Sequence, residues 1–127
     1  MMTRLINADD AAASFGGYPQ ALEVSGTTRR LYVSGQVPVS ASGSVPETFA
    51  AQAELTWRNV LAQVRAAGME KENIVKANIF LADRKYALEN REARLRVLGD
   101  FCPALSVVIA DIFDEAWLLE IEAIAEA

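Results

Sequence analysis

The period of apolar and polar positions changes several times along this chain, and each change marks an element. Residues 21–25 and 30–34 alternate, with Leu22, Val24, Leu31 and Val33 on one side, the period-two pattern of half-buried strands. Ser25-Gly26-Thr27-Thr28 between them has turn composition, so the pattern predicts a hairpin. From Glu47 onward Phe49, Ala53, Trp57, Val60, Leu61 and Val64 recur at helical spacing. Gly68 stands where a left-handed cap would end that helix, after about five turns. Ile74–Leu81 returns to a β-rich run with Val75, Ala77, Ile79 and Leu81 on one face.

Asp83 is suited to cap a second helix, along which Tyr86, Asn90, Ala93 and Val97 form one stripe. Its charges, Arg84, Lys85, Glu89, Arg91, Glu92, Arg94 and Arg96, read as solvated surface with i,i+4 pairing. Residues 101–125 then predict two strands joined by an acidic turn. In the second, Trp117, Leu119, Ile121, Ala123 and Ala125 share one face, and Leu118, Glu120, Glu122 and Ile124 share the other. Charges are rarely buried without partners, so this strand must expose its two glutamates, pair them or use them.

The order hairpin, helix, strand, helix, hairpin predicts one α+β domain over residues 1–127, a mixed sheet with two helices on one face. The other face also needs cover. Polar groups such as Glu120 and Glu122 on it argue for an oligomer that closes its sheets around a shared interior.

Composition narrows the chemistry. A formal charge of −5 and a pI near 4.7 give no electrostatic footprint for nucleic acid. No charged leader precedes an apolar run, and no stretch reaches the roughly 20 apolar residues of a membrane span, so a soluble, cytoplasmic protein without membrane partners is expected. Cys102 is alone and the chain has no histidine, which leaves no internal disulfide, no usual zinc site and no histidine-dependent triad. Cys102, with no histidine to activate it, reads as a small buried hydrophobe. Asn90 interrupts an apolar stripe, so its amide either fixes a nearby loop or lines a polar site. Tyr18, after Phe15-Gly16-Gly17, is either presented by a loop for binding or covers a core edge.

Taken together, Gly17-Tyr18-Pro19-Gln20-Ala21, Ser34-Gly35-Gln36-Val37-Pro38, Ala66-Ala67-Gly68, Ile74-Val75-Lys76, Asn90 and Glu120-Ile121-Glu122-Ala123-Ile124-Ala125 resemble, in order and spacing, the Rid family of reactive intermediate deaminases, also called YjgF-like proteins. The resemblance runs nearly end to end. It implies a chorismate-mutase-like α+β fold and a homotrimer whose sheets form a central barrel, with small-molecule ligands held in three clefts between subunits. In the best-known branch it implies hydrolysis of imines and enamines to a keto acid and ammonia, without metal or organic cofactor.

By the same resemblance the site comprises Tyr18, Ser34, Asn90, the residue at 105, the backbone of Val107, and Glu120. Glu120 would position or deprotonate the attacking water, a role open to a carboxylate in a mostly apolar cleft; Glu122 has no implied role and reads as structural. The family's Pro-X-Arg-Ser/Thr motif, whose arginine forks onto a substrate carboxylate, reads Pro103-Ala104-Leu105-Ser106 here. Loss of that bidentate pair should cost about 2–5 kcal/mol of recognition. The expectation is therefore a deaminase of a small imine, enamine or related C–N compound that lacks the usual carboxylate or presents it elsewhere. The alternative is a trimer that binds a small molecule or docks a partner without turnover. Ribonuclease activity, a name some relatives carry, is disfavoured by the acidic charge and the absence of a basic patch or histidine pair.

Overall fold

The computed structural model describes residues 1–127. Strands β1 (Met2–Ile6), β2 (Ala21–Ser25) and β3 (Arg30–Gln36) precede helix α1 (Phe49–Ala66); β4 (Ile74–Leu81), α2 (Ala87–Leu98), β5 (Ala104–Ile109) and β6 (Leu119–Glu126) follow. β3, β6, β4 and β5 form a four-stranded mixed sheet in that order, and β1 and β2 form a separate two-stranded ribbon. The α+β architecture with two helices on a mixed sheet is as the periodicity predicts.

α1 forms where the helical period begins. Thr48 caps it, its hydroxyl accepting from the Ala51 amide at 3.2 Å, and the orphaned last-turn carbonyls are met by Gly68 N–H to Arg65 O at 2.9 Å and Met69 N–H to Val64 O at 3.0 Å. That closure requires Gly68 at φ 75°, a left-handed conformation glycine adopts without strain. Phe49, Ala53, Trp57, Val60 and Val64 of α1 are buried against Ile79, Leu81, Leu119 and Ile121 of the sheet in one core. Each large side chain so buried contributes about 1.5–3 kcal/mol. Two polar residues of α1 hold loops. Gln52 Nε2 donates to Pro46 O and Ala116 O while its Oε1 accepts from Leu118 N, and Asn59 Nδ2 donates to Val37 O and Val39 O.

Both expected hairpins are absent. β2 pairs antiparallel with β1, Leu22 opposite Leu5, while β3 pairs with β6, Val33 opposite Ala123. The Thr27-Thr28 turn does not fold β3 back on β2 because Thr28 N–H and Arg29 N–H donate to Ala127 O at 2.8 and 2.9 Å, which commits the start of β3 to the C-terminal strand. At the other end, β5 pairs parallel with β4, and β6 pairs antiparallel with the opposite edge of β4. β4 lies between β6 and β5 with both edges hydrogen-bonded, so segment 110–118 crosses past it. β4, α2 and β5 thus form a parallel crossover unit, as parallel neighbours require.

α2 also differs in detail. Asp83 caps a single 3-10 turn, accepting from Lys85 N at 2.8 Å, and α2 follows it. The buried row is Asn90, Ala93, Arg94 and Leu98 rather than the stripe ending at Val97. Arg94 and Leu98 fall four and eight residues after Asn90, on one i,i+4 row, so Arg94 is not solvated surface but 4% exposed. No helix is long and apolar enough to cross a membrane.

Candidate functional site

The segment before β2, the α2 row and β5 meet around a cavity of about 400 Å³ lined by Tyr18, Asn90, Arg91, Arg94, Leu105 and Val107, with Phe15 at its rim. Four of the residues expected from the sequence are brought together here. Leu105 is 8% exposed and pairs with Ala77 in β4, which turns its side chain toward the helices. Val107, two residues along, shares that face and is 44% exposed. Tyr18 packs against the core, and a β-carbon at position 16 would approach its ring at 3.1 Å, so Gly16 lets the loop lie flat under the tyrosine.

Of the two readings open for Asn90, the loop-fixing one is not observed; Gln52 and Asn59 do that work. Asn90 is 5% exposed, and its Oδ1 is buried with no hydrogen-bond partner. An unpartnered buried acceptor costs about 1–3 kcal/mol. Asn90 is part of the cavity wall, with that oxygen itself shielded from solvent.

Glu120 and Ser34 lie elsewhere. Glu120 pairs with Phe80 across β6–β4, and Ile79, the next residue, pairs with Ile121 and Val107. Since side chains alternate across a sheet, Glu120 points to the face opposite the one bearing Leu105 and Val107. A β-carbon at position 35 would overlap Glu120 Oε2 and lie 2.8 Å from its carboxyl carbon; glycine there gives the carboxylate its seat on β3. Ser34 lines a second, open-face cavity of about 280 Å³ together with Tyr32, Lys76, Asn78 and Glu122. Glu122 accepts from Asn78 Nδ2 at 3.0 Å, in keeping with a structural role.

Arg94 is the cavity-lining residue that the sequence pattern concealed. Its guanidinium donates to Gly16 O at 2.7 Å and to Cys102 Sγ at 2.6 Å, pinning the Tyr18 loop to the entry of β5. The only sign of it in the sequence is its i,i+4 relation to Asn90, masked by a run of charges. Burial pushes the Cys102 thiol up, with the neighbouring Arg94 charge opposing, so Cys102 is a neutral thiol at pH 7 rather than a thiolate nucleophile. No three His, Cys, Asp or Glu side chains converge as a metal site would need.

Comparison with known proteins identifies relatives of this chain. A RutC family protein of Pasteurella multocida is 40% identical over 93 residues, covering 72% of this chain and 70% of its own. The 2-iminobutanoate/2-iminopropanoate deaminase of Escherichia coli K12 is 35% identical over 128 residues, 98% of each chain. Among solved structures, a protein of the conserved Rid family from Yersinia pestis superposes with a TM-score of 0.86 at 23% identity over the full length of both chains. E. coli TdcF, solved with bound serine, superposes with a TM-score of 0.74 at 30% identity over 98% of each. The family model described as Endoribonuclease L-PSP matches residues 8–127, and with these relatives it establishes that the chain belongs to the Rid, or YjgF-like, family.

Proposed function

We propose that this chain hydrolyses a small imine or enamine to a carbonyl compound and ammonia, at a cleft built between two copies in a homotrimer. The observation that carries the reading is the division of the site residues between two faces of one sheet. Tyr18, Asn90, Leu105 and Val107 surround a cavity on the helix side, while Glu120, seated over Gly35, faces the other way. Neither half is complete, and a second copy laid against β5 supplies the missing one. The unpaired edge of β5 exposes Val107, Val108 and Ile109, and the uncovered sheet face exposes Tyr32, which gives that copy apolar surface to bury. The cavity volume suits a small metabolite rather than a polymer.

The chemistry needs no redox partner. Water adds to the imine carbon as the Glu120 carboxylate accepts its proton; the new C–O bond forms, and the C=N π pair goes to nitrogen, which is protonated. The resulting carbinolamine collapses, C–N breaks, ammonia leaves and the carbonyl forms. An enamine first takes a proton at carbon to become the imine. In this reading the Asn90 side chain, after a small rotation, and the Val107 backbone hydrogen-bond the substrate. General-base catalysis of this kind contributes about 10²–10⁴-fold.

Purified protein incubated with imines generated by an amino-acid oxidase, and with neutral imines, should release ammonia faster than the uncatalysed rate. Glu120→Ala should lose about 10²-fold or more of that acceleration; equal rates for the two proteins reject the assignment. The second reading, a ligand-binding trimer without turnover, draws on Leu105, which removes from β5 the arginine that family members use. Gain of 2-iminobutanoate deamination in Leu105→Arg argues for a retuned enzyme, and no gain argues for binding alone.

A further inference from the structure

The most exposed large apolar side chain of the molecule sits on an acidic loop. Segment 110–118, between β5 and β6, carries Asp111, Asp114 and Glu115 and no cation, and Phe113 among them is 94% exposed. The loop is nonetheless held in place. Asp114 closes its tip, accepting at Oδ1 from Ala116 N at 2.8 Å and at its carbonyl from Trp117 N at 3.0 Å. Gln52 of α1 holds the far end through Ala116 O and Leu118 N. A ring kept in water by a fixed loop forgoes the stabilisation that burial gives, and the three carboxylates beside it enter no ion pair, those of the chain joining Arg4 to Glu23, Arg30 to Glu126 and Arg58 to Glu54.

The mouth of the helix-side cavity has the complementary character. Phe15 and Leu88 stand there 90% and 67% exposed, with Val107 of β5 beside them. Arg91 lines it and is likewise free of any ion pair. Residues 84–96, which carry this rim, hold five cations, Arg84, Lys85, Arg91, Arg94 and Arg96, against two carboxylates, in a chain of formal charge −5. An apolar mouth in a basic rim matches an exposed aromatic in an acidic loop in both hydrophobicity and charge. No residue of 110–118 lines the cavity of its own chain. A second copy is the source at hand, because the loop runs directly into β6, and a copy that brings Glu120 to the cleft brings this loop with it.

We propose that the 110–118 loop of a second copy closes the mouth of the helix-side cavity, with Phe113 seated against Phe15 and Leu88 and the loop's carboxylates facing Arg91. This rests on the intersubunit cleft proposed above and adds a lid to it: Phe113 limits the size of what the cleft admits. The ring supplies apolar contact, and the charges around it set which way the loop lies.

Cross-linking of the full chain tests the contact apart from turnover. Leu88→Cys and Phe113→Cys combined in one chain, both at exposed positions, should form chain-to-chain links with a short bis-maleimide about fivefold or more faster than either single variant or the pair Leu88→Cys with Ser42→Cys, because cysteines held in one assembly meet at a high effective concentration. Cys102 is present in every variant, so the comparison controls for it. Adding Arg91→Glu sets like charges against the loop and should slow the link several-fold, an effect that high salt diminishes. Where turnover is measured, Phe113→Ala should raise kcat/KM for a bulky imine relative to a small one. A link no faster than in the control pair, or unslowed by Arg91→Glu, overturns the inference; if ammonia release is still lost in Glu120→Ala, the cleft reading stands without the lid. A selective link in a protein that releases no ammonia from any imine sustains the docking and rejects the deaminase reading instead.

Discussion

Ile121 and Glu120 are adjacent in β6 and opposite in circumstance. Ile121 is fully buried between the helices and the sheet, paired with Ile79; Glu120 stands on the face that no helix covers, over Gly35. The same contrast runs along β4, where Ala77, Ile79 and Leu81 are buried and Lys76, Asn78 and Phe80 are not. One face of these strands holds the chain together, and the other is left uncovered, where the proposed chemistry and the proposed contact with further copies would lie. The period of two in a strand makes this division possible without a single extra residue.

Changes on the two faces should therefore fail in different ways. Trp57→Ala, under the helix-covered face, removes the largest fully buried side chain and should cost about 3–5 kcal/mol, measured as a lowered midpoint in urea or thermal unfolding. Ile124→Glu, on the uncovered face, should leave the fold of each chain intact but weaken self-association about a hundredfold or more, since assembly would bury an unpaired charge. Light scattering at several concentrations reads this out, and an unchanged oligomer would place the shared interior elsewhere. Gly35→Ala is the mildest: the flexible Glu120 head can move aside, so stability should change by less than about 1 kcal/mol. The displaced carboxylate should nonetheless lower kcat several-fold, and an unaltered kcat would separate the seat of Glu120 from its use.

The sequence made the faces legible and left the neighbours obscure. Alternation assigned Ile79, Leu81, Leu119 and Ile121 inward and Glu120 outward, because burial acts on each strand separately. It carries no information on which strand lies alongside, and so the two hairpins were expected where β1, β4 and β6 instead supply the partners. β1 itself had little to reveal it, since nearly all of Met2–Ile6 is exposed. Tyr18, Asn90, Leu105 and Val107, which the family resemblance singled out, line one cavity. That Glu120 and Leu105 lie on opposite faces required the register linking β5 through β4 to β6, which only the three-dimensional pairing provides. Arg94 was hidden for a different reason: within a run of charges, the one buried guanidinium has the same letter as its solvated neighbours.

The position of β4 between β5 and β6 has a consequence for inheritance of the two halves. Because Asn90 and Glu120 are held on opposite sides of that strand, no cleft that unites them can draw both from the same chain if it lies between copies. A chain disabled at Asn90 and another disabled at Glu120, each inert alone, would then form mixed assemblies in which some clefts inherit both intact groups. Genetic complementation between two dead alleles would be the signature of such shared ownership.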